Sequence, residues 1–190
     1  QNEEYDFFYS NALFYLEKKN KFEKYKNFDL PNGIIFKNLA KDYFVIISGL
    51  IVKKIIIEKE NFFNENYNII GDFDFIMRIS RYSKAHALNK PLLFYRVHKN
   101  NFSKLNTEIF YREYYNWFEK QEIRNDKLFF KYKKYFKKKL LELEINFLLL
   151  NTNKNINLII KILKFLEFIR KIKYLVAFCL PKEIIRILKK

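Results

Sequence analysis

Residues 66–82 read NYNIIGDFDFIMRISRY. Two carboxylates, Asp72 and Asp74, stand one residue apart, after Gly71 and before the apolar run Phe75-Ile76-Met77. A carboxylate at a helix start accepts backbone N–H bonds and meets the positive end of the helix dipole, which holds it ionised near neutral pH. An ionised carboxylate at the mouth of a site can take a proton from a hydroxyl as a general base. The same pattern has a purely structural reading, in which Asp72 caps the helix and Asp74 pairs with Arg78 at i+4. Local pattern alone leaves both readings open.

Three further stretches can carry chemistry. FYRVHKNNFS at 94–103 places His98 at the end of an apolar strand, entering a polar loop. Strand ends commonly carry ligand-binding groups, and a neutral imidazole there can bind a divalent metal. A lone histidine can equally be a turn residue. Arg96 can steer a phosphate or form an ion pair. KYKKYFKKK at 131–139 is cationic with interleaved aromatics, which suits phosphate backbones, anionic lipid or a solvated helix face. INLIIKILKFLEFIRKIKYLVAFCL at 156–180 is apolar at helical spacing with a cationic opposite face, fitting either a packed helix or one lying in a membrane interface. The single cysteine, Cys179, excludes an internal disulfide and a cysteine-based zinc site, and reads as a buried, inert thiol. There is no Walker loop, GxGxxG, HExxH or Ser/His/Asp signature.

The elements that must position these residues follow from periodicity and punctuation. Residues 5–10, YDFFYS, read as a buried strand, and residues 17–29 as a loop or hairpin excursion. LPNG at 30–33 is a turn, and 34–43 a short helix with apolar positions 35, 36, 39, 40 and 43. Residues 44–52, FVIISGLIV, fit a buried strand or a buried helical segment. A loop leads into a helix from about 71 to 83, and KAHAL and PLLFYRVH read as two strands parted by Asn89-Lys90-Pro91. KNNFS is a loop. From 104 onward the chain is lysine-rich and apolar at helical spacing, predicting three or four helices broken near 124–127 and 151–157. Residues 1–103 thus read as a mixed α/β piece and residues 104–190 as a helical tail.

With 49 % hydrophobic residues in 190, the chain can build a real core. No apolar run approaches the roughly 20 residues of a membrane span. The chain opens on QNEEYD without signal-peptide character, so the cytoplasm is the default compartment. A start on Gln1 instead of Met predicts a missing or processed N-terminus. The formal charge of +16 points toward anionic partners. Its weight is reduced by composition: lysine greatly outnumbers arginine, and Asn, Ile, Phe and Tyr are abundant, as A/T-rich codons would produce.

Taken in order, YDFFYSN, LPNGIIFKNLAKDYFVIISGLIVKK, FNENYNIIGDFDFIMRIS and KPLLFYRVHKNNFS resemble the C-terminal half of a family 2 glycosyltransferase catalytic domain. The nearest subset is bacterial enzymes of cell-surface polysaccharide synthesis. The resemblance spans residues 5–103 and implies a partial GT-A fold, a Rossmann-like nucleotide-diphospho-sugar transferase domain, followed by the α-helical tail. It implies that Asp72 is the base of the family's acidic motif, with Gly71 where glutamate is common. It maps His98 onto a late histidine that helps hold the metal or the donor diphosphate. Ser48 and Gly49 fall near the loop beside the donor sugar, and Asp74 and Arg96 join them as donor- or acceptor-binding residues. The implied cofactor is a divalent metal, Mg or Mn, held mainly by an Asp-x-Asp motif expected upstream of Tyr5. The chain therefore reads as a truncated fragment, inactive alone.

The implied reaction is inverting transfer of a sugar from a nucleotide-sugar donor to a saccharide or lipid-linked acceptor hydroxyl. It would take place at the cytoplasmic side of the plasma membrane, with peripheral membrane contact through the basic tail and no specific nucleic acid. The alternative is a non-enzymatic basic module that binds nucleic acid or anionic membrane through its lysines.

Overall fold

The computed structural model describes residues 4–151 and Leu180. The chain divides into two compact units, Gln1–His98 and Lys99–Lys190. The division falls directly after His98, so residues 99–103, which the sequence assigned to the first domain, lie in the second unit.

The first unit is α/β, with a mixed sheet of four strands. Its centre is β1, Phe7–Leu16, which runs well past the expected 5–10 stretch. β2, Lys21–Lys24, returns antiparallel to the end of β1. Between them a 3-10 turn, Glu17–Lys19, closes on Asn20 in the left-handed conformation, which asparagine tolerates. The hairpin excursion is thus a true hairpin. Buried Asn11 ties it down: its Nδ2 donates to the Lys26 carbonyl at 2.8 Å, and its Oδ1 accepts the Lys26 N–H at 3.2 Å.

The LPNG turn carries Gly33 at φ 81, a backbone state that disfavours a side chain. It pairs with Ala85, and the Tyr9 hydroxyl donates to the Pro31 carbonyl at 2.6 Å. α1 follows, Phe36–Lys41, burying Phe36 and Leu39. The ambiguous 44–52 stretch resolves into extended chain, a 3-10 turn Ile47–Gly49 and a three-residue strand β3, Leu50–Val52, antiparallel to the start of β1. α2, Lys54–Lys59, precedes α3, Gly71–Ile79. α3 starts where the sequence placed it but ends earlier, closing through turns at Tyr82 and Ser83.

β4, Ala85–Val97, is one continuous strand parallel to the whole of β1. The expected break at Asn89-Lys90-Pro91 is instead an irregularity in register opposite Ser10, Asn11 and Ala12. Proline lacks the ladder N–H, and a strand tolerates it at such a bulge. The Asn89 side chain is used there, accepting the Leu30 N–H at 2.7 Å. The core holds Phe7, Tyr9, Ile35, Leu39, Phe75 and Ile76, each at most 2 % exposed. Each such side chain contributes about 1.5–3 kcal/mol by leaving water.

The second unit is helical: α4, Phe102–Leu105; α5, Thr107–Ile123; and α6, Lys127–Asn151. The expected break near 124–127 has a clear cause. Asn125 is left-handed at φ 50, and the Asp126 carboxylate caps α6 by accepting the N–H groups of Leu128 and Phe129 at 2.9 and 3.0 Å. Trp117, Phe118, Phe129 and Phe136 pack between the helices, with Trp117 and Phe136 ring centres 5.3 Å apart. The expected break at 151–157, the amphipathic run 156–180 and Cys179 lie outside the described residues. Among the described residues no helix is long and apolar enough to cross a membrane.

Candidate functional site

α3 begins without a side-chain cap. Its N-cap residue is Ile70, which makes no capping bond, and Asp72 sits inside the first turn. The Asp72 Oδ1 accepts the N–H of the next residue, Phe73, at 2.6 Å. No side chain among the described residues donates to this carboxylate. Burial pushes the Asp72 carboxyl above its ordinary range; the Phe73 and Asp72 amides pull the other way without cancelling it. The helix-start amides thus favour the charged form, and burial opposes them. Asp72 is exposed too little for the helix terminus to win, and desolvation disfavours its charge.

Asp74 is a different carboxylate. It is buried, and its Oδ2 accepts from Arg78 Nε at 3.0 Å, the expected i+4 pair. Arg78 goes further, donating from Nη1 to the Glu60 carbonyl at 2.7 Å and to Glu60 Oε2 at 2.8 Å, and from Nη2 to the Phe62 carbonyl at 2.7 Å. Asn61 and Phe62 are both left-handed, at φ 53 and φ 61. Such residues cost about 1–2 kcal/mol each, and the guanidinium fork holds the loop that contains them against α3. Asp74 is thus engaged within the fold by Arg78.

Gly71 needs no special backbone, and a Cβ there would meet only the Tyr67 Cβ, at 4.0 Å. A side chain fits at this position. Gly49 is the opposite case. A Cβ on it would lie 2.4 Å from Leu93 Cδ2 and 2.7 Å from Ser10 Oγ, so it permits close packing over β1 and β4. Ser48 is exposed in the same 3-10 turn. Arg96 lies on β4 with its side chain exposed, donating to Glu17 Oε1 at 2.7 Å, which is the ion-pair alternative. His98 directly follows β4 and is half-buried. Among the described residues no three His, Cys, Asp or Glu side chains converge into a metal-ligating group, so His98 does not belong to such a set here. Asp72 makes no hydrogen bond or ion pair with Ser48, Arg96 or His98.

The residue that packs on Phe73, next to Asp72 in the chain, is one the sequence marked only as an apolar helix position. α1 ends at Lys41, and Tyr43 lies beyond it in extended chain. Its ring stands edge-on to Phe73 with centroids 5.3 Å apart. Its carbonyl accepts the Tyr25 hydroxyl at 3.3 Å, while its own hydroxyl is buried with no hydrogen-bond partner. Burial pushes the Tyr43 phenol well above its ordinary value, and the Asp72 carboxylate and Tyr25 add to the shift. The phenol that keeps its proton therefore packs on the residue that follows Asp72. Nothing in residue type signalled it, since a tyrosine in an apolar pattern reads as core.

Comparison with protein-family models, with curated proteins and with solved structures yields no match.

Proposed function

We propose that this chain is the acceptor-side part of an inverting sugar transferase, with Asp72 as the general base. The observation that carries the reading is the state of Asp72: a partly buried carboxylate at the start of α3, bonded to backbone but to no side chain, with its affinity for protons raised by burial. A base whose pKa moves toward the working pH transfers protons more effectively. The ordered resemblance around it supplies the substrate class.

In this mechanism Asp72 takes the proton of an acceptor hydroxyl as its oxygen attacks the anomeric carbon of a nucleotide sugar. The new C–O bond forms as the bond to the nucleoside diphosphate breaks on the opposite face, and the diphosphate leaves with the electron pair. One carboxylate suffices, because no glycosyl-enzyme intermediate forms; a retaining glycosidase needs a second acid about 5–5.5 Å away.

The test is release of nucleoside diphosphate and sugar transfer from a panel of nucleotide sugars by the whole transferase of which this chain is the acceptor-side part. Asp72→Asn lowers the rate about 10²–10⁴-fold, the range of a lost general base, while circular dichroism stays unchanged.

A second reading, a basic surface for anionic membrane or nucleic acid, is favoured by Lys131, Lys134, Lys137 and Lys139, all exposed on α6. The interleaved Phe136 is buried against Trp117, and so is not free to stack on bases. Binding to anionic vesicles that falls steeply with salt would support this reading.

A further inference from the structure

We infer that the tip of the α5–α6 hairpin and the outer face of α6 form a docking surface for an anionic lipid bilayer. Ile123 and Phe130 enter the interface, and the lysines of α6 lie on the headgroups. This assignment rests on the second reading above, the basic surface of α6, and commits it to one partner; it does not depend on sugar transfer.

α5 and α6 run antiparallel, as their ring pairs show. Tyr111 stacks on Phe147 with centroids 5.5 Å apart, Trp117 meets Phe136 at 5.3 Å, and Phe118 meets Phe129 at 5.1 Å. The tip of the hairpin is therefore residues 123–127, around left-handed Asn125. Phe129 and Phe136 are buried against α5. The helix period puts 127, 130, 131, 134 and 137 together on the opposite side of α6, and all five are exposed. Four are lysines and the fifth is Phe130, 41 % exposed; Ile123 at the tip is 82 % exposed. The acids beside them are already used by the fold: Asp126 caps α6, and Glu122 pairs with Lys133. The Lys133 Nζ also lies 5.2 Å from the centre of the Phe130 ring, which ties that ring to Glu122, the neighbour of Ile123. Among the described residues no carboxylate pairs with Lys127, Lys131, Lys134 or Lys137.

The cations are concentrated in this half of the chain. Residues 99–190 hold 22 lysines and arginines against 9 acids, and residues 1–98 hold 15 against 12. Charge of one sign calls for an anionic partner. Ile123 and Phe130 add a second requirement, since packing within the hairpin leaves both in water. A bilayer interface meets both requirements: the acyl boundary receives the apolar groups, and anionic headgroups receive the ammonium groups. The lysine stems, apolar themselves, lie along the interface with their charges held at headgroup level. A nucleic acid would take up the cations and stack on a phenylalanine, but a branched aliphatic side chain at the tip gives a base nothing to stack on. Ile123 therefore decides for lipid.

The test is co-sedimentation of the full chain with vesicles of phosphatidylcholine, alone or with about 30 % phosphatidylserine. Anisotropy of a labelled DNA duplex is measured beside it. Binding to the anionic vesicles and not to the neutral ones is expected, weakening as salt rises. Lys131→Gln, Lys134→Gln and Lys137→Gln together are expected to weaken it about 100-fold, about fivefold for each lysine. Ile123→Ser with Phe130→Ser is expected to weaken it about tenfold with circular dichroism unchanged, since both side chains are exposed. Phe130→Trp is expected to be quenched by brominated lipid, whereas buried Trp117 in the parent is not. Vesicle binding that either set of substitutions leaves unchanged overturns the proposal, as does an unquenched Phe130→Trp. Duplex binding without vesicle binding overturns the lipid assignment and leaves the basic surface standing; binding to neither probe overturns both. The transferase reading is judged separately, by nucleoside diphosphate release.

Discussion

Asp72 and the glycines show how far residue type alone carries. The position of Asp72 at the start of a helix was legible from GDFDF, but its charge state was not, because burial depends on what folds over the helix end. The consequence is measurable. The folded-state carboxyl titrates above the ordinary value of 3.8. The cost of burying its charge therefore sets in as pH rises above 3.8, and is complete once pH exceeds the folded-state value. Asparagine carries no such cost. Melting temperatures of Asp72→Asn relative to the parent are expected to be more favourable near pH 7 than near pH 3; an unchanged difference would show that Asp72 is not desolvated. The glycines separate in the same way. Gly71→Ala is expected to stabilise by about 0.5–1 kcal/mol, since the helix start has room and the unfolded chain loses freedom. Gly49→Ala is expected to destabilise by about 1–3 kcal/mol by crowding Ser10 and Leu93. Urea denaturation of both variants checks the pair. The packing of Tyr43 on Phe73 was not legible at all, because it joins positions thirty apart in sequence.

At the scale of elements, α3 and the loop before it are joined by Arg78. The i+4 pair with Asp74 could be read from DFIMR, whereas the bonds to Glu60 and Phe62 could not, since they cross a loop with no periodicity. Arg78→Met leaves the Asp74 carboxylate buried and unpaired and releases two left-handed residues. A loss of about 3–5 kcal/mol is expected in urea denaturation. Replacing Asp74 by Asn in the same chain should recover part of it. Acid acts on the same joint. Burial by itself would raise the Glu60 carboxyl, but the Tyr82 hydroxyl and Arg78 outweigh it and hold the carboxyl below 4.5. That stabilisation is complete above 4.5 and is lost as pH falls through the lower folded-state value. Arg78→Met should therefore flatten the acid limb of the stability profile. Strand breaks were harder to read than helix starts. Pro91 punctuates a sequence in one dimension, but a bulge in the β1–β4 ladder accommodates it.

For the whole molecule, the change from mixed α/β to helical character was visible in composition, and the chain divides into two compact units after His98. The core of the helical unit offers a direct probe, because Trp117 is the only tryptophan in the chain and is 2 % exposed. Its fluorescence should be blue-shifted and resistant to iodide. Phe136→Ala should shift it to the red and cost about 3–5 kcal/mol by opening a cavity between α5 and α6. The charge of +16 is carried by lysines such as those on α6, and it bears on partners more than on the fold. The central claim concerns one carboxylate, and the most direct measurement is sugar transfer by Asp72→Asn beside the parent under identical conditions. With the substitution made in the whole transferase of which this chain is the acceptor-side part, the account predicts nucleoside diphosphate release from a nucleotide sugar by the parent and a loss of about 10²–10⁴-fold in the variant, with an unchanged circular dichroism spectrum. Equal rates in the two proteins would contradict it.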